Sequence, residues 1–332
     1  MRMMSKVVKF ITVGPETSIQ GNARVGYLNQ GVPESGPMDD FSHHIGNKLV
    51  GNKPEAPAIE FAIMGGQIEF LKDSIFALTG AEFTPKLNEE SIEMWRTYQA
   101  KKGDILDIGF AMKSLRGYLA IAGGFEAQIN LGSTSTQSAN FMGGYHGKAL
   151  EAGDVLSDRN PDLRQYESYI GKCVPDGFEL YGGASKTMYI MKGPHYDLYE
   201  KESVQKLCNT EWKTQFNSNR RGVRFLGIEL KYKPREKNPK ESPGLANVLD
   251  DVSVMGCMET PQGKEIIVLG KEQNTCGAYT QIGIVISACL DILGQCRPTE
   301  MVKFQFISME EAIEVKKKKI ELLTDDSIFS MK

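Results

Sequence analysis

GVPESGPMDDFSHHIGNKLVGN, residues Gly31 to Asn52, joins a glycine- and proline-bearing loop to a capped helix and closes that helix with a glycine. Ser35, Gly36 and Pro37 are turn formers, each constraining or relaxing the backbone in its own way. Asp39 and Asp40 put negative charge where the helix dipole is positive. Phe41, Ile45 and Leu49 recur at the spacing of one helical face, and Gly51 supplies a left-handed stop with Pro54 beyond it. The pattern predicts a helix over about Met38 to Val50. It suits first a plain loop-to-helix connection, since turn chemistry is commoner than function, and also a loop built to hold side chains in place.

On either side of this stretch, short β-rich runs recur between turns: VVKFITV, QIEFL, SIFALTG, DILDIGF, RGYLAIAGG, KTMYIMKG, EIIVLG and MVKFQFI. Punctuated by 34 glycines in 332 residues, they point to a mainly β fold of closed or sandwiched sheets rather than alternating βαβ units. KKGDILDIG around Asp104 and EAGDVLSDR around Asp154 echo each other as Gly-Asp turns that launch strands. Ser157 to Lys186 is polar and without sustained periodicity, so it reads as a connector. The expected domains are residues 1–156, a connector over 157–186, and 187–310 with a helix over about Asp197 to Cys208. A charged helix or tail follows over 311–332. In that tail Ser308 and Glu311 have capping-box spacing, Glu314 can pair with Lys318, and Lys316 to Lys319 read as a solvated face.

A formal charge of −3 and a pI near 5.9 supply no basic surface for nucleic acid. Six dispersed cysteines form no CxxC pair, so reduced thiols are expected and neither a zinc knuckle nor a disulfide framework. His43, His44, His146 and His195 form no HExxH or i,i+4 ligand pair, and no metal is expected. The amino-terminal residues lack the apolar core of a signal peptide, and IGIVISACLDIL is too short to span a bilayer. A cytoplasmic protein is expected. No GxxxxGK[ST] loop or GxSxG elbow occurs, and Ala111-Met112-Lys113 only partly mimics a biotin-attachment sequence because Ser114 follows.

Several motifs in fixed order, covering roughly Val13 to Ala312, resemble one family. They are GVPESGPMD, LVGN (Leu49 to Asn52), Ile59-Glu60, ALTGA (Ala77 to Ala81), LRGYLAIAGG (Leu115 to Gly124), LGSTST (Leu131 to Thr136), GGYHGKALEAGDVL, MKGPH and SNRRG. The chain is similar to the biotin-dependent carboxyltransferase-like family, which includes the C-type subunit of 5-oxoprolinase, the second subunit of allophanate hydrolase and KipA-type proteins. The resemblance implies two cyclophilin-like β-barrel domains and a partner that is a KipI-type protein or the B-type subunit of 5-oxoprolinase. It implies chemistry on an amide or lactam. Such a substrate needs its carbonyl polarised and its nitrogen protonated or deprotonated by positioned groups.

The matched motifs nominate Asp39, Glu60, Arg116 and Glu272 as catalytic candidates, although each carboxylate also suits a cap or a structural ion pair. Ser35, Met38, Ser133, Ser135, Asn219, Arg220, Asn274, Thr275 and Tyr279 are candidates for holding substrate or phosphate. Gly277 is a further candidate for holding substrate or phosphate, and Gly123, Gly124, Gly143 and Gly144 could bring backbone amides to an anion. Tyr118 reads as core strand. This chain departs from the family pattern at Gln20-Gly21, at Thr134, where an arginine is usual, and over EQNTCGAYT from Glu272 to Thr280.

The implied role is the C-type subunit of an ATP-dependent 5-oxoprolinase, completed by B-type and A-type subunits, with ATP held in the assembly. The alternatives are the carboxyltransferase component of a biotin-dependent urea or amide carboxylase, with biotin as cofactor, and a KipA-type regulator of a KipI-type partner.

Overall fold

The computed structural model describes residues 5–175, 186–235 and 244–331. Its contacts group the chain into two units: one drawn from residues 1–25, 35–178 and 322–332, the other from 26–34 and 179–321. The protein is mainly β.

In the first unit, a six-stranded sheet runs in the order Val155–Asp158, Ser5–Thr12, Gln67–Phe70, Ile105–Asp107, Lys86–Leu87, Glu90–Ser91. A five-stranded sheet runs Ser18–Gln20, Ala58–Ala62, Lys113–Ile121, Ser74–Glu82, Thr97–Ala100. Val8, Phe10, Ile68 and Phe70 from one sheet share a core with Ile59, Phe61, Phe76, Leu119 and Ile121 from the other. The period-two alternation of strands decides which residues enter that core. In Ala58–Ala62, Ile59 and Phe61 point into it and Glu60 points away. In Lys113–Ile121, Leu119 and Ile121 point in, leaving Arg116 and Tyr118 on Glu60's face, where Tyr118 and Glu60 are direct cross-strand partners.

Helix α1, Asp40–Leu49, contacts the strands Lys113–Ile121 and Ser74–Glu82 of this sheet. Phe41, Ile45 and Leu49 are buried, as their spacing predicts. Gly46 lets the helix come close to the sheet, since a Cβ there would lie 2.8 Å from Thr79 Oγ1. The helix ends in a Schellman motif: Asn52 N–H donates to Asn47 O at 2.9 Å and Gly51 N–H to Lys48 O at 3.2 Å, with Gly51 at φ 75°.

The echoed Gly-Asp segments are a structural repeat. Asp104 accepts from Lys101 N–H at 2.7 Å and Asp154 from Glu151 N–H at 2.8 Å, with Gly103 and Gly153 at φ 91° and 94°. Each turn then clasps a phenylalanine backbone: Phe70 N–H donates to Asp104 O and Phe10 N–H to Asp154 O, both at 2.9 Å.

Three sequence expectations need correction. The connector does not begin at Ser157, because Ser157 and Asp158 complete the strand Val155–Asp158, and Lys172–Cys173 pairs with Ser330–Met331. Residues 176–185 of it lie outside the described residues. The expected charged helix or tail over 311–332 is likewise not solvated throughout, since Phe329 lies under both Lys172 and Lys48, with the ammonium groups 4.1 and 5.5 Å from its ring centre. Finally, the lysine run is not wholly solvated. Successive helical residues turn about 100°, so four in a row cannot share an outer face, and Lys319 is buried in an ion pair with Asp291. Glu314 pairs with Lys317 at 2.8 Å rather than with Lys318.

The second unit holds a closed barrel ordered Thr187–Lys192, Gln281–Val285, Cys257–Glu259, Glu265–Leu269, Gly222–Leu226, Trp212–Thr214, Met301–Phe306. Its closing pair, Thr187–Lys192 with Met301–Phe306, is parallel. Helix α2, Lys201–Asn209, is tied to the barrel by Trp212 Nε1, which donates to Leu207 O at 3.0 Å. Beside the barrel stands a two-stranded ribbon, Asn247–Val252 with Cys276–Tyr279. Helix α3, Leu290–Gly294, precedes the last barrel strand, and α4, Met309–Thr324, follows it. The expected capping box is present: Glu311 N–H donates to Ser308 Oγ at 3.1 Å and Ser308 N–H to Glu311 Oε2 at 2.7 Å. No helix among the described residues is long and apolar enough to cross a membrane.

Candidate functional site

In the first unit, the face of the five-stranded sheet that carries Glu60, Tyr118 and Arg116 meets the loop and first turn of α1. Glu60 Oε2 accepts from Met38 N–H at 2.7 Å and from the Tyr118 hydroxyl at 2.8 Å, while Arg116 Nε lies 3.4 Å from Oε1. Arg116 also reaches the partly exposed Glu16 at 2.8 Å. The Tyr118 oxygen accepts from Asp39 N–H at 2.9 Å. Asp39 is the N-cap: Oδ1 accepts from Ser42 N–H at 2.8 Å and Oδ2 from the Ser42 hydroxyl at 2.5 Å. Glu60, Asp39, Arg116 and Tyr118 are all at most 2% exposed. Burial, and after it the charge of Glu60, pushes the Tyr118 hydroxyl well above its ordinary pKa, so it stays protonated and donates. The structure therefore brings Met38, Asp39, Glu60 and Arg116 together in a closed, buried network.

Tyr118 is the member that sequence reasoning passed over, and its alternation in step with Arg116 was the available signal. His43 was passed over too. It is buried, and its Nε2 lies 3.1 Å from Gln20 O, which requires the proton on Nε2 and leaves Nδ1 without a partner among the described residues. Burial above all, with the neighbouring His44, lowers its pKa from 6.5 to about 4.

A second cluster clasps the fully buried Arg24. Its guanidinium donates to Asn130 O at 3.2 Å, Ser35 Oγ at 3.2 Å and Ser135 O at 3.1 Å. Ser35 sits at φ 57°, a conformation that few residues other than glycine adopt. Ser133 and Ser135 both donate their hydroxyls to Asn22 O, at 2.7 and 3.0 Å.

The four glycine amides expected to greet an anion already donate within the chain. Gly123 gives to Asn52 Oδ1 at 2.8 Å and Gly124 to Ile121 O at 2.9 Å. Gly143 gives to Asn130 Oδ1 at 2.8 Å and Gly144 to Thr134 O at 3.0 Å. These glycines do not form a phosphate cradle, and their value is close approach: a Cβ at Gly143 would lie 2.2 Å from Ser135 O. Thr134 and Gly123 line a polar cleft of about 660 Å³ together with Asn22, Asn52, Lys53 and Arg159.

In the second unit, Arg220 Nε donates to Glu272 Oε1 at 2.7 Å, both residues being buried. Glu272 N–H donates to Arg220 O at 3.0 Å, and Asn219 Oδ1 accepts from Arg221 N–H at 2.8 Å, which fixes the turn. This pair anchors the segment that leads into the ribbon, where Asn274 and Tyr279 are exposed, Thr275 and Gly277 are partly so, and Thr275 O accepts from Ser253 N–H at 3.0 Å.

Three residues near that ribbon, His195, Asp251 and Glu259, were not nominated for a site from the sequence. His195 Nδ1 accepts from Gln281 N–H at 3.1 Å, which puts its proton on Nε2, 3.4 Å from Asp251 Oδ2. Burial lowers the His195 pKa, against the opposing pull of Asp251. Glu259 is 8% exposed, and burial raises its pKa despite a hydrogen bond from Ser253 and the more distant charge of Arg224. Cross-strand pairing collects these residues, of which only His195 lies on a matched motif, MKGPH.

The comparisons agree with this architecture. Residues 30–306 match the family described as carboxyltransferase domain, subdomain A and B. The chain is 33% identical to the urea amidolyase of Lachancea kluyveri over 95% of its own length but only 18% of that protein, so it spans about a fifth of that relative. It is 30% identical to the C-type subunit of the Haemophilus influenzae 5-oxoprolinase, covering 94% of this chain and 95% of that subunit. The crystal structure of the Kluyveromyces lactis urea amidolyase superposes with a TM-score of 0.88 at 29% identity, covering 99% of this chain and 20% of that one. The chain belongs to the carboxyltransferase domain, subdomain A and B, family.

Proposed function

We propose that the chain is the C-type subunit of an ATP-dependent 5-oxoprolinase complex, which opens the lactam of 5-oxoproline to glutamate together with B-type and A-type subunits. The observation that carries this reading is the match to the C-type subunit of a 5-oxoprolinase over 95% of that subunit's length. ATP is assigned to the assembled complex, because the glycine amides that might have cradled phosphate already donate within this chain. What the chain contributes is a fixed polar surface. The Arg220–Glu272 pair locks the segment that presents Asn274, Thr275 and Tyr279, side chains able to donate and accept hydrogen bonds around an amide.

The likeness to urea amidolyase, at 33% identity, favours a second reading, a biotin-dependent carboxyl transfer to a urea-like amide. Coexpression with B-type and A-type subunits separates the two. ATP hydrolysis that depends on 5-oxoproline in the complex, and is absent from the isolated chain, is the expected result. Turnover of 5-oxoproline by this chain alone would overturn the division of labour, and carboxyl transfer from carboxybiotin to urea would select the second reading.

A further inference from the structure

The polar cleft of the first unit, about 660 Å³, is walled on one side by the turn Lys53 to Ala56 and on another by residues of the segment Arg159 to Tyr166. Both walls are fixed from behind. The buried Asn47 donates to Pro54 O at 3.2 Å and to Ala56 O at 2.9 Å, and Ala56 N–H closes the turn onto Lys53 O at 3.0 Å. In the other wall, Asp158 Oδ1 accepts from Asn160 N–H at 2.8 Å. Gly123 lets that wall come close, since a Cβ at 123 would lie 2.8 Å from the Pro161 ring.

The charges on these walls are only partly spent within the chain. Lys53 Nζ and the Glu55 carboxylate stand two residues apart on the turn, and neither has a partner among the described residues. Arg159 gives Nε to Glu126 at 3.1 Å and makes no other ion pair among the described residues. Asp162, the remaining charged residue of the lining, is held by Nε and Nη2 of Arg164 at 2.9 and 2.7 Å. The cleft is left with two cations and one carboxylate, together with the Tyr166 hydroxyl, which makes no hydrogen bond among the described residues.

We infer that this cleft binds a small amino dicarboxylate such as glutamate, its two carboxylates toward Lys53 and Arg159 and its ammonium toward Glu55. Two cations and one anion on fixed walls are the complement of that ligand's charges at neutral pH, and such complementarity selects among ligands more than it adds affinity. The inference deepens the reading above and rests on it for the choice of glutamate, the product of that reaction. Its test needs neither partner subunits nor turnover, so the two readings fail separately.

Glutamate, glutarate, which lacks the ammonium, and glutamine, which lacks one carboxylate, are titrated calorimetrically onto the full chain near neutral pH and at low ionic strength, where exposed charges are least screened. Glutamate is expected to bind saturably and most tightly of the three. Lys53→Met should weaken glutamate about threefold, the scale of a partly exposed ion pair. Glu55→Gln should weaken glutamate to a similar extent and leave glutarate unchanged, so that the preference between them disappears. Circular dichroism confirms that each variant is folded. No saturable binding of glutamate to the wild-type chain, glutarate or glutamine binding as tightly as glutamate, glutamate binding unchanged in Lys53→Met, or a preference for glutamate over glutarate that survives Glu55→Gln would each overturn the inference.

Discussion

Glu60 in the first unit and Glu259 in the second are both buried carboxylates on barrel or sheet strands, yet their surroundings differ in kind. Glu60 accepts from a backbone amide and a tyrosine hydroxyl and faces an arginine. Glu259 has one long contact to a serine and only the more distant charge of Arg224. A satisfied carboxylate holds a structure together, because its removal strands its donors, whereas an under-satisfied one stores desolvation energy that a ligand can release. The first unit's network therefore holds the loop at Ser35 to Asp39 in place, whereas Glu259 in the second unit is left with few partners.

The largest test of that contrast is the same substitution at both sites. Glu60→Gln should destabilise the chain by about 3 kcal/mol, the low end for breaking a buried ion pair, since Arg116 keeps Glu16. Glu259→Gln should instead stabilise it at neutral pH, because burial disfavours the charge there and little offsets it. Denaturant unfolding of the two variants measures both, and effects of the same sign would erase the distinction.

The interior of the first unit also predicts a pH dependence. His43 titrates at about 4 in the folded chain against an ordinary 6.5. As pH falls below 6.5 the unfolded chain takes up a proton that the folded chain refuses until about 4. His43 therefore lowers stability progressively through that window, by up to about 3 kcal/mol, and has no such effect above it. Unfolding of the wild type and of His43→Gln across the window should show a shallower slope in the variant, and parallel slopes would sink the assignment.

The smallest effect belongs to Asp39. As an N-cap, its change to Asn should cost about 1 kcal/mol or less, since asparagine caps nearly as well. If Asp39 also moves a proton or positions substrate in the complex, the same change would lower turnover roughly a hundredfold with the fold intact. Melting temperature and complex turnover on one protein decide between scaffold and participant.

Much of the fold was legible in local sequence. The start and stop of α1, the capping box of α4, the Gly-Asp turns and the eight β-rich runs are all signals whose physics is finished within a few residues. The sites were less legible. Asp39, Glu60 and Arg116, nominated from the sequence, do come together, but the tyrosine among them read as core, because an aromatic residue in an apolar strand looks like core until its hydroxyl meets a carboxylate 58 positions away.

By itself, then, the sequence determined many of the elements and the caps of α1 and α4, because those follow from backbone dihedrals and periodicity. Only the tertiary structure decided which polar groups were answered. It joined Asp39 to Tyr118 across 79 residues, buried Lys319 against Asp291, committed the glycine amides within the chain and left Glu259 short of donors. Satisfaction of a buried polar group depends on what the neighbouring strand brings beside it, and strand pairing joins residues with no local relation in sequence.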